Sequence, residues 1–176
     1  MHVSRRFVTA FLLAAALPLS GCGLLRRGRD RAAATAELPS GSAGAIGKKA
    51  NPQGLVAEMR FSPDPVKLGE TRQIDVTLIV RNASKKRLAS LKFVTSQRLE
   101  ILLRDLSNNK VLSQWSQDRT FDPNGGYLLV NPGERLEFNQ SITTRELKAG
   151  HTYNLEAYLV GYDRELRVTR VVIPQP

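Results

Sequence analysis

The chain has 176 residues, with 26 Lys and Arg against 16 Asp and Glu, for a formal net charge of +10. A single cysteine excludes an internal disulfide, and with only two histidines beside it the chain lacks the ligands of a zinc site. A balance this basic invites a nucleic-acid reading, but no recognition motif accompanies the charge, so no nucleic-acid partner is expected.

The chain opens with Arg5 and Arg6, continues through an apolar run from Phe7 to Leu19, and reaches Ser20-Gly21-Cys22. A charged start, a short apolar middle and small residues at the end are the anatomy of a secretory signal. The run is shorter than the about 20 residues that span a bilayer, and Pro18 would interrupt a spanning helix. A core helix is disfavoured because nothing polar recurs at helical spacing. Leu19-Ser20-Gly21-Cys22 closely resembles the lipobox of bacterial lipoproteins. That resemblance implies a signal peptide over residues 1–21, removed on export, and lipid on the sulfur and amine of Cys22. Two or more acyl chains anchor firmly where one is marginal. Gly23 stands where Asp commonly marks inner-membrane retention. The resemblance therefore implies a lipid-anchored envelope protein, on the periplasmic side of the outer membrane where the cell has two membranes.

Without Arg5 and Arg6 the charge is +8, and half of it falls before Pro52: Arg26, Arg27, Arg29, Arg31, Lys48 and Lys49 against Asp30 and Glu37. Residues 22–51 are otherwise small and polar, too poor in apolar side chains to offset the entropy of ordering, and read as a flexible basic linker. Arg26, Arg27, Arg29 and Arg31 sit beside the lipid. They either touch anionic headgroups, at about 1 kcal/mol each, or form a solvated tether. Ser42–Lys49 mimics a phosphate loop but has Ser42 in place of the first glycine and Lys49 in place of the magnesium-binding hydroxyl.

Residues 52–176 are the size of one domain and can bury about two thirds of their unfolded surface. Leu55–Phe61 reads as a strand stopped by Pro63 and Pro65. Ile74, Val76, Leu78 and Val80 alternate with Asp75, Thr77 and Arg81 at the period of a half-buried strand. Leu88–Phe93, the Leu99–Arg104 alternation and Val111–Trp115 follow, with Ser107–Lys110 as a hairpin turn. Tyr127–Val130 lies between turns at Pro123–Gly126 and Asn131–Glu134. Leu136, Phe138 and Ile142 form one face of the next strand. Tyr153, Leu155, Ala157 and Leu159 line another, and Leu166–Ile173 closes the domain before Pro174. Short strands, turns every 8–12 residues and no helix predict an all-β chain with a single immunoglobulin-like antiparallel β-sandwich. Tyr153, entering a late strand after Gly150, resembles a tyrosine corner, whose hydroxyl bonds upstream backbone.

Leu78–Tyr158 also resembles the BsuPI family of intracellular proteinase inhibitors. The residues that carry the resemblance are Val80-Arg81-Asn82-Ala83-Ser84 with Leu91 and Phe93, then Thr95-Ser96-Gln97-Arg98-Leu99-Glu100 and the strand Ile101–Asp105. Trp115-Ser116 with Arg119 and Phe121, Asn131-Pro132-Gly133-Glu134, and Ala149–Tyr153 complete it. The resemblance implies a protein-binding domain directed at a proteinase, here an envelope protease; a structural or assembly adaptor of the envelope is the alternative.

Catalysis finds little support. A Ser-His-Asp triad would have to use His151, no serine sits in a G-x-S-x-G elbow, and neither metal nor cofactor is expected. The chain is therefore read as a non-enzyme. The candidate contact residues are Trp115, Arg119 and Phe121, since Trp and Arg dominate binding hot spots. Against this, the only tryptophan of a sandwich this size more often fills the core, with Arg119 pairing Asp118 or Asp122.

Overall fold

The structure, a computed structural model, describes residues 45–46 and 50–176. Ten strands run in chain order: β1 (Ala45–Ile46), β2 (Leu55–Ser62), β3 (Gln73–Asn82), β4 (Ala89–Phe93), β5 (Leu99–Asp105), β6 (Val111–Gln114), β7 (Gly126–Val130), β8 (Arg135–Thr143), β9 (Tyr153–Leu159) and β10 (Val168–Val172). No helix occurs among the described residues. One sheet has the order β1-β2-β3-β8 and a second the order β10-β9-β5-β6, while β4 and β7 form a two-stranded ribbon. All of these pairings are antiparallel. The expected β-sandwich is the observed one.

Packing follows from the alternation. Ile74, Val76, Leu78 and Val80 put β3's apolar face inward, against Leu99, Ile101 and Leu103 of β5 and Leu155, Ala157 and Leu159 of β9, all buried in one cluster. Each fully buried side chain of this size contributes about 1.5–3 kcal/mol. From the ribbon, Ala89, Leu91, Phe93 and Val130 join the same cluster. Gly125 is required where the ribbon begins, because a Cβ there would lie 1.9 Å from the Phe93 carbonyl oxygen.

The domain starts earlier than the composition suggests. Asn51, which falls in the stretch read as linker, is buried. Its Oδ1 accepts from the amides of Gln53 (3.0 Å) and Leu55 (2.9 Å), and its Nδ2 donates to Glu165 (3.1 Å). Ala45 and Ile46, in the same stretch, pair with Met59 and Glu58 of β2. A side chain that satisfies two amides of a tight turn orders the backbone without apolar content, so hydropathy alone does not reveal it.

Two polar ties stand where a cystine is absent. Tyr153 is buried, and the amide of Lys148 donates to its hydroxyl at 2.9 Å, which makes the corner expected from the sequence. Asn82 ends β3 fully buried (0 % exposed). Its Nδ2 donates to the carbonyls of Arg87 (2.7 Å) and Val130 (2.9 Å), and its Oδ1 accepts from the amide of Ser84 (3.0 Å). The amide of Gly133, at φ 78, donates to the Asn82 carbonyl at 3.0 Å. One amide group thus joins β3, the turn after it and the end of β7. We expect Asn82→Ala to strand the buried Val130 carbonyl, to lose the bond to the Arg87 carbonyl and to cost about 2–3 kcal/mol, read as a lowered denaturation midpoint with unchanged slope; an effect below half of that shows that the side chain is not such a tie.

Candidate functional site

After the β5–β6 hairpin the chain passes Gln114 and curls. The amide of Gln117 donates to Gln114 O (3.1 Å) and that of Arg119 to Ser116 O (3.1 Å), with Asp118 at φ 62. The Trp115 amide donates to Ile101 O at 2.9 Å. Trp115 therefore follows Ile101 inward, and its ring packs on the core while staying half-buried. The curl returns Arg119 over that ring, its guanidinium carbon 4.4 Å from the centroid and its Nε donating to Trp115 O at 2.9 Å. Phe121 packs against the same indole at a tilt, 5.8 Å between ring centroids.

Trp115, Arg119 and Phe121 thus form one cluster, in which the tryptophan belongs to core and surface at once. The expected Arg119 ion pair with Asp118 or Asp122 is not formed among the described residues. The turn folds the arginine back on the indole instead, and Asp122 Oδ1 accepts from the Asn124 amide at 2.7 Å. The Trp115 Nε1 is buried with no hydrogen-bond partner among the described residues, an arrangement that costs about 1–3 kcal/mol.

Glu100 holds this turn. It is 4 % exposed and projects from β5 on the face opposite the core, with no cation paired to it among the described residues. Its Oε1 accepts from the amides of Ile101 (3.0 Å) and Ser116 (3.2 Å). Its Oε2 accepts from Gln97 (3.1 Å), Gln114 (3.0 Å) and the Ser116 hydroxyl. Neutral donors alone satisfy the carboxylate, and each such charge-assisted bond contributes about 1.5–3 kcal/mol. Farther along the same face, Glu156 is clamped by Arg104 (3.1 Å) and Arg167 (3.0 Å), and the Arg167 guanidinium covers the Tyr158 ring at 4.8 Å. Partial burial pushes the Tyr158 phenol above its ordinary value; the Glu100 charge adds to the rise and Arg167 opposes it.

The loop before β5 is tied to the same end. The Ser96 amide donates to Asp122 O (2.8 Å), and the Asp122 amide to the Ser96 hydroxyl (2.9 Å). Between these loops and β8 lies an open cavity of about 300 Å³. Leu99, Trp115, Phe121 and Phe138 give it an apolar lining, and Gln97, Arg98, Asn139 and Gln140 are its polar edge. Arg98 sits 4.4 Å from the Phe93 ring centroid and donates to Thr95 O at 2.9 Å.

The model of the BsuPI family, described as intracellular proteinase inhibitor, matches residues 61–164, more than half of the chain. The chain belongs to the BsuPI family. No curated protein matches it significantly.

In this BsuPI domain the residues that carry the resemblance meet in three places. Asn82 and Asn131–Glu134 form one; Gln97, Glu100, Trp115 and Ser116 form the second; Ala149–Tyr153 form the third. Sequence reasoning missed Glu100 as the centre of the second, since a glutamate between Leu99 and Ile101 looks like an ordinary outward residue. It also missed Arg98, Phe138 and Gln140, whose nearness to Trp115 depends on the packing of two sheets. His151 is exposed, its ring stacked 6.4 Å from that of Tyr153. Cys22, Arg26, Arg27, Arg29 and Arg31 lie outside the described residues.

Removing Glu100 frees the turn. We expect Glu100→Ala to lower stability by about 3 kcal/mol and to shift the emission of Trp115, the chain's single tryptophan, to longer wavelength; unchanged emission rejects the clamp. Because the folded Tyr158 pKa is raised, its stabilising contribution is complete below the unfolded phenol value and is lost as pH rises through the raised one. Melts from roughly pH 9 to 12 should show this alkaline loss in the parent and a smaller one in Tyr158→Phe.

Proposed function

We propose that the chain is a lipid-anchored envelope lipoprotein whose BsuPI domain binds a protease and blocks it without catalysis of its own. On this reading residues 1–21 are the export signal, Cys22 carries the lipid, and the basic stretch from Arg26 to Arg31 lies against anionic headgroups, with a tether leading to a single domain. The observation that carries the binding function is the Trp115–Arg119–Phe121 cluster beside an open apolar cavity. It combines the residue types that anchor protein interfaces with a turn fixed from below by Glu100. The family description supplies the class of partner, a proteinase. A family described as intracellular and an export signal differ in compartment, so only the binding chemistry is carried across.

A second reading, an assembly adaptor, is favoured by the outer face of the β4–β7 ribbon. Leu88, Val94, Tyr127 and Leu129 are all exposed there, Val94 at 73 % and Tyr127 at 65 %. Exposed apolar patches of this kind mark interaction surfaces.

The test uses the full lipidated chain and its Trp115→Ala/Arg119→Ala form, both checked for the same cooperative melt. Stoichiometric inhibition of proteolysis in a detergent-solubilised envelope fraction, lost in the double variant, is the expected result. Co-purification of assembly factors with proteolysis unchanged would instead establish the adaptor. Mass spectrometry of the purified chain should find acyl groups on Cys22, and Cys22→Ala should release the domain from membranes; an unmodified cysteine sinks the anchoring.

A further inference from the structure

A strand at the margin of a sheet leaves a row of main-chain N–H and C=O groups open, and proteins guard such margins by shortness, bulges, proline or covering side chains. Most margins of this domain are guarded. β1 has two residues, and β6 has four with a register shift in its pairing. On β4 the amide of Ser90 donates to Gln53 Oε1 (3.1 Å) and that of Lys92 to the Tyr162 hydroxyl (2.7 Å). Beyond β10, Gln175 pairs with Lys67.

β7, with five residues, also has an unpaired side, but β8 is the longest of the margin strands among the described residues. It has nine residues, contains neither lysine nor proline, and pairs with β3 in unbroken register from Gln73↔Thr143 to Arg81↔Arg135. No strand pairs with its other side among the described residues. Midway along it Asn139 and Gln140 are exposed, and there the strand borders the cavity that Trp115 and Phe121 line. Arg98 is the one charged residue lining that cavity, its guanidinium resting on Phe93 and donating to Thr95 O; neither it nor Arg119 has an ion pair among the described residues. Asp118 and Asp122 belong to the neighbouring loop and do not line it.

We propose that β8 receives an extended segment of a partner protein as an added strand, with one apolar side chain of that segment in the cavity and an adjacent carboxylate on Arg98. Main-chain bonds to an open edge supply affinity, and the pocket beside it supplies selection. A carboxylate fits because the lining offers a cation and no anion. The assignment rests on the protein-binding reading above, but not on inhibition.

Trp115 reports occupancy directly, since its ring lines the cavity and the chain has no other tryptophan. The probe is a capped peptide, Thr-Val-Leu-Asp-Val-Thr, with every amino-acid pair also placed at its two central positions, titrated into the full-length chain in detergent. The expected result is a saturable change in Trp115 emission, strongest for Leu, Met or Phe followed by Asp or Glu. Lysine in place of the acid should weaken binding about tenfold, and methylation of alternate peptide amides should abolish it. In Arg98→Met the preference for the acid should vanish while the preference for the apolar residue stays; if that variant fails to fold, the acid-to-lysine exchange in the peptide still decides the point. Emission indifferent to every peptide, or equal binding of the methylated form, overturns the proposal. Protease inhibition without peptide binding removes β8 from the account and leaves the inhibitor reading standing; peptide binding without inhibition does the reverse.

Discussion

The face-to-face packing of β3 on β5 and β9 is the constraint from which the remaining geometry follows. Once Ile74, Val76, Leu78 and Val80 are committed inward against Leu99, Ile101, Leu103 and Leu155, every intervening residue of those strands is committed outward. That parity places Glu100 and Glu156 together on the far face of the second sheet, where neighbouring side chains bury them. The two carboxylates are then satisfied differently. Glu156 takes two arginines, while Glu100 takes amides, a hydroxyl and backbone. A buried charge held by neutral donors is sensitive to where those donors stand, so Glu100 fixes the position of the turn that presents Trp115.

The absence of a cystine shapes the rest. An immunoglobulin-like sandwich commonly ties its sheets through sulfur, and this chain has no pair of thiols to do it. Its substitutes are local: the Tyr153 hydroxyl bonded to the Lys148 amide, and the Asn82 side chain joining β3 to its turn and to β7. The first stiffens a corner and the second links the first sheet to the ribbon, so cohesion between the two four-stranded sheets comes from apolar packing.

Most of the fold was legible in the sequence, because strands buried on one face write a period of two. β3 and β9 are the clearest examples, and the tyrosine corner was visible from Gly150 and Tyr153. Boundaries set by polar side chains were less legible: Asn51 orders the first turn through hydrogen bonds that hydropathy does not record. Of the site, Trp115, Arg119 and Phe121 could be found because they lie within seven residues of one another. The other walls of the cavity, Arg98 and Phe138, come from distant segments, and only the stacking of the sheets brings them there. Asn82 illustrates a different difficulty, since an asparagine in a polar turn looks like an exposed residue and only the fold shows it buried.

Gly125 and Glu100 together have a consequence for how such a domain can change. The backbone of Gly125 is pressed against Phe93, and Ser116 is held by Glu100, so both feet of the intervening loop are fixed to the scaffold. The stretch between them bonds to the rest of the domain largely through main-chain groups, as in the exchange between Ser96 and Asp122. Residues 117–124 thus form a cassette: apart from Arg119 and Phe121, which pack on Trp115, its side chains are exposed and can be exchanged with little strain on the sandwich that carries them.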